Sequence, residues 1–472
     1  MATCLLLYAL CPRPLALPLQ MLCIWRDLRC AMICPSALRS MLYALCPLPF
    51  AFFLLHSSFF IYLSYPMTTI AYITPNFTAN AVRFLEALTS LYDVRLIVIS
   101  QEPVALLPSW QQSRIALSRE VSDVFDKWTL IKTLTDLQKI TGPVHRILGA
   151  TEQLQVPMAE ARLALGIAGM NTETAQNFRD KARMKTLFNE NGIPCAKHAL
   201  THDLESALEF ARRCPYPVVA KPVAGAGSQT TFRVSNDEEM LQAFSSLGHA
   251  VAEGVIIEEF IQGEEFSLDT FMLNGKILGQ TINHYYPTPL EAMANPWIQW
   301  RVILRKEHNG KAFDDIRKAG KKAIDVLGMK TGLSHMEWFR RKDGSIAISE
   351  IAARPPGAQF TTLISRACDF DAIRAWARLM IYDEPLTTDI KYSCGAAYLR
   401  GQGHGRVSCV EGLDIIRAKY ADIITDIRVP KPGQEKSQSY EGEGFVILRH
   451  TDARVVENAL RDIVETVKVV LS

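Results

Sequence analysis

Two glutamates on opposite arms of a predicted β-hairpin constrain this chain more than any other feature. The runs 335–339 and 346–350 have strand composition, and the Asp-Gly pair at 343–344 is a strong hairpin signal. If that pair forms a two-residue turn, Glu337 lies directly opposite Glu350, with Cβ atoms about 5 Å apart. The chain is then expected to form a sheet that brings two carboxylates face to face.

Such a pair needs a counter-charge if it is half-buried, because two carboxylates repel by roughly 3 kcal/mol at an effective dielectric of about 20. A hard divalent cation supplies that charge and prefers oxygen ligands. Arg354 follows Glu350 by four residues and adds a fixed cation beside the pair. The alternative is that both glutamates are solvated on the open face of an antiparallel sheet, with the arginine as their surface partner.

Composition is that of an ordinary globular protein with room for two or three domains. The chain has 472 residues, of which 49% are hydrophobic and 21% are charged. The formal net charge is +2, and no basic field indicates a nucleic-acid partner. The cysteines after residue 66 show no CxxC or metal-ligand spacing, which favours a reduced, cytoplasmic setting.

Residues 1–66 differ from the remainder in composition. They contain no lysine, and Leu-Tyr-Ala-Leu-Cys-Pro occurs at 7–12 and again at 42–47. One interpretation is an over-extended reading frame with the physiological chain starting at Met67, which opens an ordinary first strand. The other is a membrane anchor over residues 41–63, and membrane association is expected only in that case. The first interpretation is favoured.

A βαβ unit is predicted after this segment. The strand 69–74, a helical pattern from Ala81 to Leu88 and the strand 94–99 imply a parallel sheet. The turn at 75–78 lacks the glycine fingerprint of dinucleotide binders. We therefore interpret the unit as a scaffold or a substrate platform.

One helix is predicted from about Glu173 to Gly192, with its cap at 171 or 172. Lys181 and Lys185 lie one turn apart on this helix. Taken alone, such a pair is more typical of a solvated face than of a binding site.

A loop of small residues is the next candidate binding element. The predicted strand 217–221 ends at Lys221, and the loop after it contains Gly225, Gly227 and Ser228. Backbone N–H groups and hydroxyls in such a loop can bind phosphate oxygens, with the lysine as a point charge. The loop is not a P-loop, and a glycine pair is also typical of a flexible turn.

An apolar strand is predicted at 254–261, followed by Gly263 and an acidic stretch at 264–269. A strand that ends in this way suits the edge of a purine, with a nearby carboxylate for ribose hydroxyls. An ordinary strand-turn-strand is the alternative. Further aromatic surface comes from Tyr285 and Trp300, which could line a pocket and are expected to lie in the core.

Taken in order between about residues 175 and 384, these motifs resemble the ATP-grasp superfamily, especially its carboxylate–amine (amino-acid) ligases and its biotin carboxylase branch. The resemblance implies an α/β protein with an α+β grasp fold, in which residues 1–66 take no part. The implied domains are a parallel α/β domain at 67–175, an ATP-grasp domain at 176–384 with a mobile lid at about 195–260, and a small C-terminal α+β domain at 385–472.

The resemblance also implies which residues contact ATP. They are Lys181, Lys221, Gly225, Gly227, Ser228, Glu258, Phe260, Ile261 and Glu265. By the resemblance, the two lysines hold the phosphates and the glycine-rich segment forms the lid. Glu258 faces the exocyclic amine of the adenine, with Phe260 and Ile261 as backbone or apolar contacts, and Glu265 binds the ribose.

Glu337 and Glu350 match the metal-binding acids of the family, which implies Mg²⁺ or Mn²⁺ as a cofactor beside ATP. Arg354 matches the arginine beside the transferred phosphate, and with Lys221 it is a predicted catalytic residue. His335 shares a strand face with Glu337 and could contact substrate or phosphate. A strand histidine is also commonly a packing residue.

The activity that the resemblance implies is the ATP-dependent joining of a small-molecule carboxylate to an amine through an acyl phosphate. A biotin-carboxylase-like or purine-pathway carboxylating ligase is one alternative. An ATP-binding protein with little or no turnover is another, because Ala352 stands where the family usually has an asparagine as third metal ligand. A homodimer is left open.

Overall fold

The computed structural model of the chain describes residues 67–223, 230–295 and 297–472. None of the helices in these ranges is long and apolar enough to cross a membrane. Two groups of predictions lie outside the described residues: both interpretations of the N-terminal segment, and the lid residues Gly225, Gly227 and Ser228.

A parallel sheet opens the described chain and confirms the predicted βαβ unit. Its elements are β1 (Thr68–Thr74), α1 (Ala79–Thr89), β2 (Val94–Ser100), α2 (Ser109–Gln112), β3 (Ile115–Glu120), α3 (Lys127–Thr141), β4 (Arg146–Leu148) and α4 (Gln155–Leu165). The strand order is β3-β2-β1-β4. β1 is buried on both faces, because Tyr72 packs in one core cluster with Phe84 and Ile73 in another with Leu134.

A second sheet is antiparallel, with the strand order β5-β8-β6-β7. Two helices precede it, and three more connect its strands. The elements are α5 (Thr172–Arg179), α6 (Lys181–Glu190), β5 (His198–Thr201), α7 (Leu204–Arg213), β6 (Val218–Pro222), β7 (Phe232–Val234), α8 (Asp237–Leu247), α9 (Ala250–Glu253) and β8 (Val255–Glu259).

The prediction of one helix from residue 173 to residue 192 was wrong, because the segment forms α5 and α6. Asp180 separates the two with φ −90° and ψ 107°. Its carboxylate accepts hydrogen bonds from the backbone N–H groups of Ala182 and Arg183, both at 2.9 Å. An aspartate that caps a new helix offers the backbone an alternative to continuing the old one.

The largest sheet has eight antiparallel strands in the order β13-β12-β9-β10-β11-β14-β17-β16. Strands β15 and β18 form a separate two-stranded antiparallel sheet. The elements are β9 (Gly263–Leu273), β10 (Lys276–Tyr286), α10 (Pro289–Ala294), β11 (Arg301–Leu304), α11 (Asp314–Leu327), β12 (Gly332–Arg341), β13 (Ile346–Ala352), α12 (Phe360–Cys368), α13 (Ala372–Tyr382), β14 (Ser393–Leu399), β15 (Val407–Glu411), α14 (Leu413–Lys419), β16 (Ile424–Arg428), β17 (Gly444–His450), α15 (Ala453–Thr466) and β18 (Lys468–Leu471).

This sheet continues across the predicted domain boundary at residue 384. β11 pairs with β14, and β14 pairs with β17, so strands from both sides of the boundary share one ladder of hydrogen bonds. The domain limits themselves stay predictions.

The turn between β12 and β13 is longer than predicted. It contains the three residues 342–344 rather than two, and Gly344 adopts φ +86°. The backbone N–H of Arg341 donates to the carbonyl of Ser345 at 2.8 Å and closes the loop. A left-handed glycine at the end of a three-residue loop is a common hairpin geometry.

A β-bulge restores the register that the longer turn would have changed. Glu337 pairs with Glu350, but the next pair is Trp338 with Ile348, so Ser349 is an extra residue in β13. The extra turn residue and the bulge shift the register in opposite directions. The predicted opposition of the two glutamates is therefore confirmed, although the predicted turn is wrong.

Buried histidines make the stability of this fold sensitive to acid. His308 packs with its ring 4.6 Å from Phe313, and burial, followed by the charge of Arg305, lowers its pKa to about 4. Because the unfolded chain binds the proton near pH 6.5, the native state loses stability as pH falls from about 6.5 towards 4. At pH 5 this loss amounts to about 2 kcal/mol.

We predict that His308→Phe, which keeps an aromatic ring but cannot take up a proton, weakens the pH dependence of the free energy of unfolding. Urea unfolding at pH 7 and pH 5 measures the free energy of unfolding at each pH. Its decrease from pH 7 to pH 5 should be smaller in the variant than in the wild type by about 2 kcal/mol. Equal drops in both proteins would contradict this assignment.

Candidate active site

One face of the eight-stranded sheet carries polar residues aligned across neighbouring strands. Two rows run from β13 through β12 and β9 to β10. The first row consists of Glu350, Glu337, Ser267 and Asn283, and the second of Ala352, His335, Asp269 and Thr281. The opposite face is apolar and belongs to one core cluster, which includes Leu268, Met336 and Trp338. Strand alternation thus places a core on one face and the candidate site on the other.

The opposed acids are partly exposed, with 24% of the Glu337 side chain and 28% of the Glu350 side chain accessible. Burial and then the charge of Glu350 raise the pKa of Glu337. Burial also opposes the ionised form of Glu350, but Lys181 and Lys221 outweigh it and lower the pKa to about 2. Burial, Glu337 and Glu350 raise the pKa of Glu265 well above its ordinary value. Negative charge at the site therefore exceeds what the lysines neutralise.

The two predicted phosphate lysines are both buried and both turned towards carboxylates. The Nζ atom of Lys181 lies 3.1 Å from Oε2 of Glu350, and that of Lys221 lies 3.1 Å from Oε1 of Glu258. Only 6% of Lys181 and 7% of Lys221 are exposed. The lysines therefore approach the acid pair from α6 and β6.

Lys185 is fully buried one turn after Lys181, and its Nζ atom lies 3.4 Å from Oε1 of Glu258. The expectation of a solvated lysine face was wrong, because Glu258 supplies a counter-charge inside the fold. Burial opposes the ionised form of Glu258, but Lys185 and Lys221 outweigh it and lower its pKa. Sequence reasoning gave Lys185 no role, although its spacing from Lys181 put both on one helix face.

A cavity of about 770 Å³, which we call the β8 cavity, brings together the described part of the predicted nucleotide site. That volume lies within the range of small-molecule sites, about 300–1,000 Å³. Its walls include every described residue predicted to contact ATP, together with the acid pair: Lys181, Lys221, Glu258, Phe260, Ile261, Glu265, Glu337 and Glu350.

A second cavity of about 370 Å³ lies at the carboxyl ends of β1 and β4, and we call it the sheet-end cavity. Asn80 follows β1, and the segment 150–153 follows β4. The chain leaves β1 for α1 on one side of the sheet and leaves the neighbouring β4 for α4 on the other side. Such switch points are where open parallel sheets bind ligands. Glu337 and Glu350 line this cavity as well, so the acid pair forms a wall shared by both cavities.

His335 lines the sheet-end cavity and is held by the second polar row. Its Nδ1 atom lies 2.6 Å from Oδ1 of Asp269, whose other oxygen accepts a hydrogen bond from the side-chain amide of Asn283 at 2.8 Å. The Nε2 atom lies 3.9 Å from Oε1 of Glu337. This histidine is therefore oriented by a buried carboxylate beside the acid pair. Asp269 and Asn283 were missed because their alignment depends on strands far apart in sequence.

Arg354 lines the same cavity, but its ion-pair partner is not one of the two predicted acids. Its Nε and Nη2 atoms donate to Oε2 of Glu152 at 3.2 and 3.1 Å. Arg179 donates to the other oxygen of Glu152 at 3.0 Å. Glu152, which sequence reasoning missed, therefore fixes the guanidinium in a defined orientation at the cavity wall.

The donor set fits a divalent cation shared with phosphate oxygens. Within the three described ranges, no group of three or more His, Cys, Asp and Glu side chains could hold a metal ion alone. Mg²⁺ is commonly bound by one or two carboxylates plus substrate phosphates. Glu337 and Glu350 provide the carboxylates, and the raised pKa of Glu337 reflects charge that a cation would neutralise. Ala352, which lines the sheet-end cavity, adds no ligand.

Comparison with known proteins finds a family domain within the chain. Residues 214–363 match the family model described as an ATP-grasp domain, and this stretch runs from β6 through both acids to α12. The chain therefore contains an ATP-grasp domain over these residues. The match includes most of the β8 cavity, but it does not include α6 with Lys181.

Similar proteins include an L-arginine-specific L-amino acid ligase of Bacillus subtilis, 27% identical over 273 residues. That match covers 57% of this chain and 65% of the relative, so the chain spans less than two thirds of that protein. Among solved structures, an L-amino acid ligase from Bacillus licheniformis superposes with a TM-score of 0.70 at 18% identity. The superposition covers 86% of this ATP-grasp chain and 99% of the other, which shows a common fold.

A second solved structure is the biotin carboxylase domain dimer of Hydrogenobacter thermophilus 2-oxoglutarate carboxylase, in complex with MgADP, ADP and bicarbonate. It has a TM-score of 0.60 at 15% identity and covers 85% of this chain and 90% of the other. The ATP-grasp fold of the present chain is therefore common to amino-acid ligases and carboxylases.

We predict that Glu258→Gln lowers the free energy of unfolding by about 3 kcal/mol, because it leaves Lys185 and Lys221 buried without their shared counter-charge. Urea unfolding at pH 7 measures the change. As a control, Glu253→Gln alters an exposed glutamate and should change stability by less than about 0.5 kcal/mol. Equal unfolding midpoints for the two variants would show that the buried triad does not support the fold.

Proposed function

We propose that the chain is an ATP-dependent ligase that joins a carboxylate to an amine through an acyl phosphate. The observation that carries this proposal is the position of Glu337 and Glu350 in a wall shared by two cavities. A nucleotide in the β8 cavity and a carboxylate in the sheet-end cavity would meet at that wall. Phosphoryl transfer depends on positioning and electrostatic stabilisation at such a meeting point.

ATP would occupy the β8 cavity with its phosphates towards Lys181 and Lys221. Phe260 and Ile261 would contact the adenine, and Glu265 would bind the ribose hydroxyls. Lys185 and Lys221 both contact Oε1 of Glu258, so the proposed contact with the exocyclic amine would use Oε2.

Glu337 and Glu350 would hold Mg²⁺ or Mn²⁺. When bound, such a cation neutralises charge on the phosphates and on the group in transfer. The cation would also offset the repulsion from Glu350 that, after burial, raises the pKa of Glu337.

The proposed reaction has two steps. An oxygen of the substrate carboxylate attacks the γ-phosphorus, the bond to ADP breaks, and an acyl phosphate forms. The amine nitrogen then attacks the acyl carbon, and phosphate leaves. The substrate ammonium group gives up two protons, of which one stays on the phosphate and one goes to solvent. Coupling to ATP is needed because direct condensation of a carboxylate with an ammonium ion is uphill in water.

The residues of the sheet-end cavity would position the transferred group. Arg354, fixed by Glu152, would present its guanidinium to the phosphoryl oxygens. His335, oriented by Asp269, would contact the substrate or the phosphate from the same wall. Both residues therefore act as preorganised donors in this proposal.

A second candidate function is ATP binding with little or no ligase turnover. It is favoured by Ala352, which lines the sheet-end cavity two residues after Glu350 and supplies no oxygen ligand. A carboxylating ligase that uses bicarbonate is a further candidate, based on the resemblance and on a fold shared with carboxylases. The cytoplasmic location of this protein and its assembly as a homodimer stay predictions.

We predict that Glu350→Gln reduces ADP formation by at least about 100-fold, because it removes one of the two acids proposed for the cation. The measurement is ADP release by the full chain with pools of carboxylates and amines, and with bicarbonate in a separate arm. Glu205→Gln, an exposed glutamate on α7, is the matched control and should leave the rate unchanged. Unchanged ADP release in Glu350→Gln would refute the metal assignment, and no ADP release by the wild type would refute the ligase.

We also predict that Ala352→Asn lowers the Mg²⁺ concentration needed for half-maximal ADP formation by about tenfold, because it adds an oxygen ligand beside Glu350. A Mg²⁺ titration at fixed ATP measures this shift, and Ala352→Leu is the control that adds volume without an oxygen. If the two variants respond alike, the missing ligand does not limit metal binding.

A further inference from the structure

Of the five Tyr, Trp and Phe residues that line the sheet-end cavity, four contact one another. We call Tyr285, Trp300, Phe360 and Tyr440 the aromatic wall. The ring centroid of Trp300 lies 4.5 Å from that of Tyr440 and 5.7 Å from that of Tyr285. Tyr285 and Phe360 are also 5.7 Å apart. Tyr285 and Trp300 lie in the core, as expected. Both also border a cavity.

Core packing and a hydrogen bond hold the aromatic wall in place. Trp300 is 1% exposed, and its ring N–H donates to the carbonyl of Pro287 at 3.0 Å. Tyr285 and Phe360 are 4% and 3% exposed and belong to the same core cluster. A preformed apolar surface binds an apolar group without the cost of ordering its own side chains.

The aromatic wall borders the cavity proposed for the carboxylate substrate and not the cavity proposed for the nucleotide. The acids Glu337 and Glu350 line both cavities, whereas the four aromatic residues line only the sheet-end cavity. A carboxylate that reaches a nucleotide across the shared wall therefore extends the rest of its structure into the cavity that the aromatic residues border.

Two of the three acids that line this cavity have cationic side chains as partners, and the cation proposed at the acid pair would compensate the third, Glu337. Glu152 is bound by Arg179 and Arg354, and Glu350 is 3.1 Å from Lys181. A cationic substrate side chain would lie in the same cavity as the guanidinium of Arg354, and an anionic one in the same cavity as the acid pair. Both would be disfavoured relative to an uncharged group on the aromatic wall.

We infer that the carboxylate substrate carries a large apolar or aromatic side chain, which packs against the aromatic wall. This inference rests on the proposed function and narrows its substrate class. A cavity of about 370 Å³ is at the lower end of the small-molecule range, which suits one amino acid or a similar acid better than a peptide.

Isothermal titration calorimetry tests the inference by direct binding. The full chain is saturated with a non-hydrolysable ATP analogue and Mg²⁺, then titrated with L-phenylalanine, L-leucine, 3-phenylpropanoate, glycine, L-aspartate and L-arginine. At least one of the first three should bind at least about tenfold more tightly than each of the last three. Tighter binding of glycine, aspartate or arginine would overturn the inference, and so would no binding of any apolar acid.

Tyr440 offers a variant with little risk to the fold, because it is only partly buried. Tyr440→Ala should weaken binding of the best apolar acid by about tenfold and leave the affinity for the ATP analogue unchanged. Tyr440→Phe keeps the ring and should bind like the wild type. If Tyr440→Ala binds the apolar acid as the wild type does, the aromatic wall is not the binding surface.

ADP release with the same six acids separates this inference from the proposed function. Release with glycine, aspartate or arginine but with no apolar acid would keep the ligase and overturn the aromatic assignment. Calorimetric binding of an apolar acid without ADP release for any amine would support the aromatic wall and overturn the ligase. Release only with apolar acids supports both.

Discussion

The arrangement of this site depends on keeping two carboxylates opposed at a partly buried position. Glu337 and Glu350 repel each other, and burial adds to the cost of their charge. Lys181 and Lys221 compensate Glu350, while Glu337 keeps a raised pKa. The protein therefore holds one acid firmly ionised and the other poised for an external cation, and both cavities open onto that pair.

The surrounding structure supports this charge arrangement from three directions. The eight-stranded sheet aligns polar residues in rows on one face and packs its other face in an apolar core. Helix α6 brings Lys181 and Lys185 inward, and Glu258 balances the second lysine. Glu152, after β4, orients Arg354 from the parallel sheet. Lys181, Lys185 and Arg354 thus each have a carboxylate partner that fixes their position, as a preorganised site requires.

Local sequence signals predicted the strands and helices of this fold better than the turns and breaks between them. Two runs of strand composition and the Asp-Gly pair between them predicted the hairpin at 335–350. The apolar runs at 69–74 and 94–99 predicted the parallel strands. The opposition of Glu337 and Glu350 was predicted with the wrong turn, because a three-residue loop and a bulge cancel in register and neither has a unique local signal. The break at Asp180 was missed because its helical neighbours continue the same apolar period.

Contacts between distant segments could not be predicted from one sequence. The pairing of Arg354 with Glu152 joins residues 202 positions apart, and that of His335 with Asp269 joins residues 66 apart. Both follow from how sheets pack and align, which local propensity does not determine. Lys185 was taken for a surface residue because burial of a lysine depends on a tertiary counter-charge. The resemblance to the ATP-grasp superfamily located the acids, the lysines and Arg354 but did not supply Glu152 or the aromatic wall.

The most direct test of the account is a crystal structure of the full chain with ADP and Mn²⁺, in which anomalous scattering locates the metal. We predict a manganese peak within ligand distance of both Glu337 and Glu350, with the nucleotide in the β8 cavity and the sheet-end cavity left free for the acid. Manganese bound away from the two glutamates, or ADP in the sheet-end cavity, would contradict it.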